Sequence, residues 1–399
     1  MSDESRERRR EDIAHGSPLD GVEVGADATQ PHRRAPLSHD EFHNSRHFPA
    51  LDGLRALSVA LVFFFHANPG LTGFLSGWEG VTMFFLLSGF LITTLLLREH
   101  ENTGRISLGA FYTRRVFRIF PLYFFVLAVH YVVIVRAGIG QNAEQLKAAM
   151  PYYLTYVNEW APHPPSTPFA QSWSLGIEEK YYLVWPLVLG LLLHRSLRTR
   201  LAVVVTLVLV PILTLPFALS PGHQKVIFNA YGQILIGCLI ALCLHEARIY
   251  DRLRFLGQRS WSAVVACAFV VSLLLVHAWK SHVSEYAFPF VAGLLLIGLI
   301  SGDGVASRLL SHRVVRYVGT RAYGIYLLDS LANRAAGYVT PDPTDWPRTL
   351  LFFAVRFLIA FAVADVLFRL IEQPMIAVGK RLSRRLRMRN ATIALAGQA

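Results

Sequence analysis

From residue 49 onward the chain repeats one pattern, an apolar run of about 20 residues followed by a short polar stretch. Runs of that length match a helix crossing the hydrocarbon core of a bilayer. They fall at 49–66, 78–97, 120–136, 181–193, 201–219, 226–246, 261–279, 286–300, 323–339 and 349–371. The runs at 181–193 and 286–300 are short for a full crossing, and Asp329 and Arg334 interrupt the run at 323–339. The pattern predicts an all-α polytopic membrane protein with about ten transmembrane helices. Residues 1–46 have no apolar periodicity and are rich in Arg, His, Asp and Glu, so they read as a disordered basic cytoplasmic arm. No short apolar core with a cleavage site follows the basic start, so no signal peptide is expected. The plan is an arm at 1–46, a membrane domain at 47–375 and a basic cytoplasmic tail at 376–399.

The basic residues test this plan, because Lys and Arg accumulate on cytoplasmic loops. An even number of spans puts both termini on one side. That side carries 29 of the 39 Lys and Arg, and the opposite loops carry 5. Both termini are therefore expected in the cytoplasm. The stretch 137–180, with its Pro-rich section at 161–170, becomes the one large outer loop. Composition agrees: 53% of residues are hydrophobic, 17% are charged, and mean hydropathy is +0.39. A net charge of +12 could suit nucleic acid, but nucleic-acid binders do not combine it with such hydropathy. No nucleic-acid partner is expected. Cys238, Cys243 and Cys267 lie in apolar runs without metal-ligand or redox spacing, and no metal is expected.

The first span, FPALDGLRALSVALVFFFHANPG, contains Asp52, Arg55 and His66. Ionisable groups in a membrane are costly and tend to line cavities or bundle interiors. Arg55 and His66 are eleven residues apart, about three turns plus 20° and a rise of about 16 Å, so they share one stripe. Asp52, three residues before Arg55, can pair with it. By spacing alone His66 reads equally as a histidine hydrogen-bonded to a neighbouring helix. In the second span Ser88 and Gly89 suit close helix packing. Ahead of the third, Arg114, Arg115 and Arg118 crowd one helical side, with Tyr123 a turn further on. Three guanidinium groups at a membrane surface suit phosphate, from lipid headgroups or a phosphorylated cofactor, or simply anchor the span. Trp173, Tyr181, Tyr182 and Trp185 read as an interfacial aromatic belt. Glu178 and Glu179 either cap the helix that follows or face a cavity shared with His66.

In order along the chain, LDGLRALSVALVFFFHA with its Arg-x10-His, FFLLSGFLI, FYTRRVFRIFPLY, SWSLGIEEKYYLVWPL, GTRAYGIYLLD and LFRLIEQP resemble the acyltransferase-3 family of bacterial membrane acyltransferases. The resemblance covers residues 49 to about 375. It implies an O-acyltransferase in a bacterial cell (inner or plasma) membrane, surrounded by membrane lipids. It implies His66 as the catalytic residue, Arg55 as its partner for substrate or donor, and Arg114, Arg115 and Arg118, with Tyr123, meeting a cytoplasmic acyl-CoA such as acetyl-CoA. Glu178 matches the glutamate of the family's WSLxxE segment. Two positions depart: Asp329 stands where many members have His, and Phe368 where many have Tyr. The sequence also stops 25 residues after Pro374, so no C-terminal hydrolase-like domain is expected.

The expected reaction moves an acyl group, acetyl first, to a hydroxyl of a surface or secreted glycan or a glycosylated metabolite. His66 would be the general base. A carboxylate such as Glu178 or Asp52 would orient it, and Arg55 would neutralise charge or contact the donor. The rival is a transporter or flippase of glycan or lipid-linked intermediates using the same charges, although no inverted repeat with interrupted helices is visible.

Overall fold

A computed structural model describes residues 36–396 except 46, 76, 162–166, 219–222 and 280–281. Among the described residues the elements are all helical. α1 is His39–Asn44, α2 Pro49–Ala67, α3 Gly77–Thr103, α4 Leu108–Tyr131, α5 Ala143–Leu154, α6 Trp173–Leu192, α7 Leu197–Ala218 and α8 His223–Leu244. After them come α9 Arg259–Trp279, α10 His282–Ser301, α11 Arg313–Gly319, α12 Ala322–Leu327, α13 Asp329–Val339, α14 Trp346–Leu367 and α15 Gln373–Ala396. By length and composition six helical stretches among the described residues can cross a membrane: Pro49–Ala67, Gly77–Thr103, Leu108–Arg136, Val226–Leu244, Arg259–Val276 and Trp346–Met388. The chain is a polytopic all-α membrane protein.

Among the described residues the ten apolar runs fall on helix apart from frayed ends, with one internal break. The run at 323–339 divides at Leu328 into α12 and α13, and Asp329 opens the second piece. Helix α6 begins at Trp173, eight residues ahead of its apolar run. Its polar residues Ser174 and Glu178 face inward while Leu183, Val184, Leu187 and Leu191 face out, exposed. A membrane helix that lines a polar interior inverts the usual inside-out pattern, and hydropathy misses its polar turns. For the same reason the aromatic belt expected on this helix is a correction. Tyr181, Tyr182 and Trp185 are buried in the bundle, and Trp185 Nε1 donates to Thr93 Oγ1 at 2.8 Å.

The arm needs a second correction. Residues 1–35 lie outside those described, but 36–45 are packed rather than disordered. Ser38 and Glu41 form a reciprocal capping box on α1, Phe42 is fully buried, and Arg98 donates to the carbonyls of Phe42 and Ser45, both at 2.7 Å. Residues 376–396, read from sequence as a tail, continue α14 through a wider π turn at Phe368–Glu372 into α15. Arg387 of α15 reaches Glu99 of α3 at 3.3 Å.

Helices α3 and α8 cross with almost no side chain between them. A Cβ on Gly89 would stand 1.9 Å from the Ile234 carbonyl oxygen, and one on Gly237 2.2 Å from that of Leu86. The packing reading of Gly89 holds; Ser88 beside it has a polar partner, described below. At the far end of the bundle the loops predicted for one side meet. Phe74 and Trp346 have ring centroids 6.0 Å apart, and Arg334 Nη2 donates to Gln141 O at 3.4 Å.

Candidate functional site

Helix α2 starts with Pro49, whose missing N–H costs nothing in a first turn. It runs uninterrupted to Ala67 and carries a polar group at each end.

At the loop end stands His66. Its Nδ1 lies 2.9 Å from Asp329 Oδ2, the residue that opens α13. The other oxygen of Asp329 accepts from Arg356 Nη2 of α14. Arg356 lies with its guanidinium carbon 4.9 Å from the centre of the Phe63 ring, and its Nη1 is 3.5 Å from Phe63 O. The Arg356 and Asp329 side chains are only 2% and 5% exposed, whereas that of His66 is 40% exposed. A buried pair therefore holds an accessible imidazole by one ring nitrogen. With Nδ1–H donating to the carboxylate, Nε2 is left as the basic atom.

At the basic end a cavity of about 900 Å³ opens among α2, α3, α4, α6 and the α14–α15 junction. Arg55, Asp52, Arg114, Arg115, Arg118, Glu178 and Glu179 all line it, so six of the sequence-predicted residues besides Glu179 come together there. Asp52 is bound from both sides: Arg55 Nη1 lies 2.5 Å from Oδ1, and His47 Nε2 lies 2.7 Å from Oδ2. Arg114 Nη2 meets Glu99 at 3.4 Å. Arg115 places its guanidinium carbon 5.4 Å from the centre of the Tyr182 ring. Ser88 Oγ donates to Glu178 Oε1 at 2.7 Å, and Tyr182 OH donates to Ser88 Oγ at 2.9 Å. Val81, Phe84, Ser174 and Tyr326 also line the cavity. Tyr326 stands three residues before Asp329, and its ring lies 6.1 Å from that of Phe84.

Three expectations change. His66 is not among the residues lining the cavity, so it shares none with Glu178. The carboxylate on its ring is Asp329, not Glu178 or Asp52. The physical reason is placement: Glu178 and Asp52 sit at the depth of the arginines, already bonded to Ser88 and Arg55. Tyr123 also stands apart from the cavity. It is fully buried, with its OH donating to Tyr153 O at 2.9 Å, accepting from Asn158 Nδ2 at 2.8 Å, and its ring stacked on Tyr156 at 4.2 Å. Sequence reasoning missed Arg356, His47 and the role of Asp329 as partner. The available signal was an acid and a base interrupting separate apolar runs, which in a membrane tend to find each other.

Comparison with known proteins follows this layout. A family model described as an acyltransferase domain matches residues 48–367. The peptidoglycan O-acetyltransferase OatA of Listeria monocytogenes is 29% identical over 360 residues, 83% of this chain and 56% of that protein. The putative peptidoglycan O-acetyltransferase YrhL of Bacillus subtilis is 30% identical over 322 residues, 73% of this chain and 49% of that protein. The O-acetyltransferase OatA of Staphylococcus aureus is 24% identical over 362 residues, 84% and 58% respectively. The chain thus spans about half the length of the curated relatives it matches. No solved structure matches it. The family match takes in His66, Asp329 and Arg356 as well as Arg55 and the three cavity arginines, and the chain belongs to the acyltransferase-3 family.

Proposed function

We propose that this chain is a membrane O-acetyltransferase that moves an acetyl group from cytoplasmic acetyl-CoA to a hydroxyl of a cell-surface glycan. The observation that carries the reading is the His66–Asp329–Arg356 chain, an accessible imidazole held by a buried, charge-compensated carboxylate. The names of the relatives support the acceptor class, since peptidoglycan is a glycan. The concentration of arginines at the end predicted to face the cytoplasm supports a polyanionic donor.

His66 Nε2 accepts the proton of the acceptor hydroxyl as its oxygen bonds to the thioester carbon. The imidazolium that forms is stabilised by Asp329, which Arg356 keeps ionised. The carbon–sulfur bond breaks, and the thiolate leaves with the proton from His66. Arg55, Arg114, Arg115 and Arg118 hold the donor's phosphates, a task that guanidinium groups suit. Asp52 fixes the Arg55 fork, and Glu178, bonded to Ser88, balances charge in the cavity wall. The rise of about 16 Å from Arg55 to His66 is the distance the donor's arm has to bridge.

The test is transfer of labelled acetyl from acetyl-CoA to cell-wall glycan in membranes containing the chain. His66→Ala should lower transfer by about 10²- to 10⁴-fold, the usual size of general-base catalysis. Full activity in that variant would overturn the assignment. Family membership sets these same charges against the flippase reading.

A further inference from the structure

We propose that His47 is a donor-recognition residue: with Arg55 it forms a two-armed clamp on the phosphates of the donor, oriented by Asp52 between them. The proposal rests on the acyl-CoA reading above. His47 lies two residues before α2 and lines the cavity beside Asn44 and Ser45. Its Nε2 is fixed on Asp52 Oδ2, and Nδ1 has no hydrogen-bond partner among the described residues. As an imidazolium it donates through both nitrogens at once, to Asp52 and to a ligand oxygen. Arg55 uses one nitrogen on the other oxygen of the same carboxylate. Both carboxylate oxygens are therefore occupied, and His47 and Arg55, one on each, line the same cavity.

Among the nearby cations Arg98 is committed to the backbone and Arg114 shares its charge with a carboxylate. Arg98 directs both terminal nitrogens at the carbonyls of Phe42 and Ser45, and Arg114 contacts Glu99. Those Arg98 bonds also anchor the segment leading into His47, so the imidazole is preorganised although it lies outside a helix. His47 stands one residue ahead of the family match. With phosphates held at this depth, the thioester arm points along α2 towards His66.

The experiment compares acetyl-CoA with acetyl-pantetheine, which lacks the nucleotide and its phosphates, on the full chain in membranes. For His47→Ala the preference for acetyl-CoA, as the ratio of kcat/KM values, should fall about tenfold, mostly through KM, the scale of one charge-assisted hydrogen bond. His47→Arg should restore it. An equal loss on both donors would assign His47 a structural role and overturn the clamp, as would an unaltered ratio. Binding of CoA and of pantetheine to the purified chain separates this from the acyl-transfer reading. CoA affinity that depends on His47 in a chain that transfers no acetyl group supports the clamp and overturns the reaction. Transfer with an unchanged donor preference does the reverse.

Discussion

At the two ends of helix α2 stand two sets of the same three residue types, and they are built differently. At the loop end the arginine and the aspartate are sealed, and only the histidine of His66–Asp329–Arg356 reaches solvent. At the cavity end of His47–Asp52–Arg55 the aspartate is buried, while His47 and Arg55 are 31% and 26% exposed into the cavity. Where the cation is buried, it serves the carboxylate, and the imidazole alone is left to act. Where the arginine is open, it and the imidazole both line the cavity, as the proposed clamp requires. Composition is the same in both; accessibility assigns the roles.

The strongest way to break the comparison is to neutralise each aspartate in turn. Asp329→Asn should reduce kcat for acetyl transfer by about 10²-fold or more while leaving the KM for acetyl-CoA near its starting value, because the imidazolium loses its counter-charge. Asp52→Asn should chiefly raise that KM. If the two variants gave the same kinetic profile, the distinction would be lost. Stability should divide the sets as well. Arg356→Met leaves Asp329 buried and uncompensated, a loss of about 3–5 kcal/mol, whereas Arg55→Met opens onto a solvated cavity and should lower the unfolding temperature in detergent much less.

A smaller effect concerns the segment that carries His47. His245, just beyond α8, donates through Nδ1 to Ala241 O and packs its ring on Phe42 at 5.4 Å. Desolvation pushes it down to about 3, with Arg98, His43 and His39 adding to the shift. A folded state that resists protonation is at full strength above the unfolded value near 6.5 and loses stability as pH falls from there towards 3. At pH 5 the loss is about 2 kcal/mol. The protection of amides in residues 39–45, taken relative to the intrinsic exchange rate at each pH, should fall between pH 7 and pH 5, and His245→Phe should flatten that response. The least effect belongs to a residue in neither set: Trp185→Phe, which forfeits one buried hydrogen bond to Thr93, should cost about 1 kcal/mol in thermal unfolding and leave kcat unchanged.

How far the sequence reads depends on which kind of contact is involved. The apolar runs are local, so their helices were legible, as was the common stripe of Arg55 and His66. The arginines of FYTRRVFR are legible as a group for the same reason, whereas Glu178, expected to cap its helix or to share a cavity with His66, lines theirs instead. The partner of His66 was not, because Asp329 is 263 positions away, and only the bundle brings it near. Helix α6 began earlier than its hydropathy because its polar turns face the cavity. The end of the arm was misjudged because one buried Phe42 among polar neighbours produces no periodic signal. The polarity of a short segment does not exclude packing when a single side chain anchors it.

The uninterrupted course of α2 has a consequence for how such a protein tolerates change. Because one rod bears both polar groups, their phase and their separation are locked together. Removing a single residue between Arg55 and His66 turns the imidazole through about 100°, away from Asp329, while the rod shortens by only about 1.5 Å. Removing four residues nearly restores the direction but brings the two sites about 6 Å closer. On the proposed reaction the interval is thus a gauge with coarse markings, set to a donor of one length, and point substitution can alter its grip but not its measure.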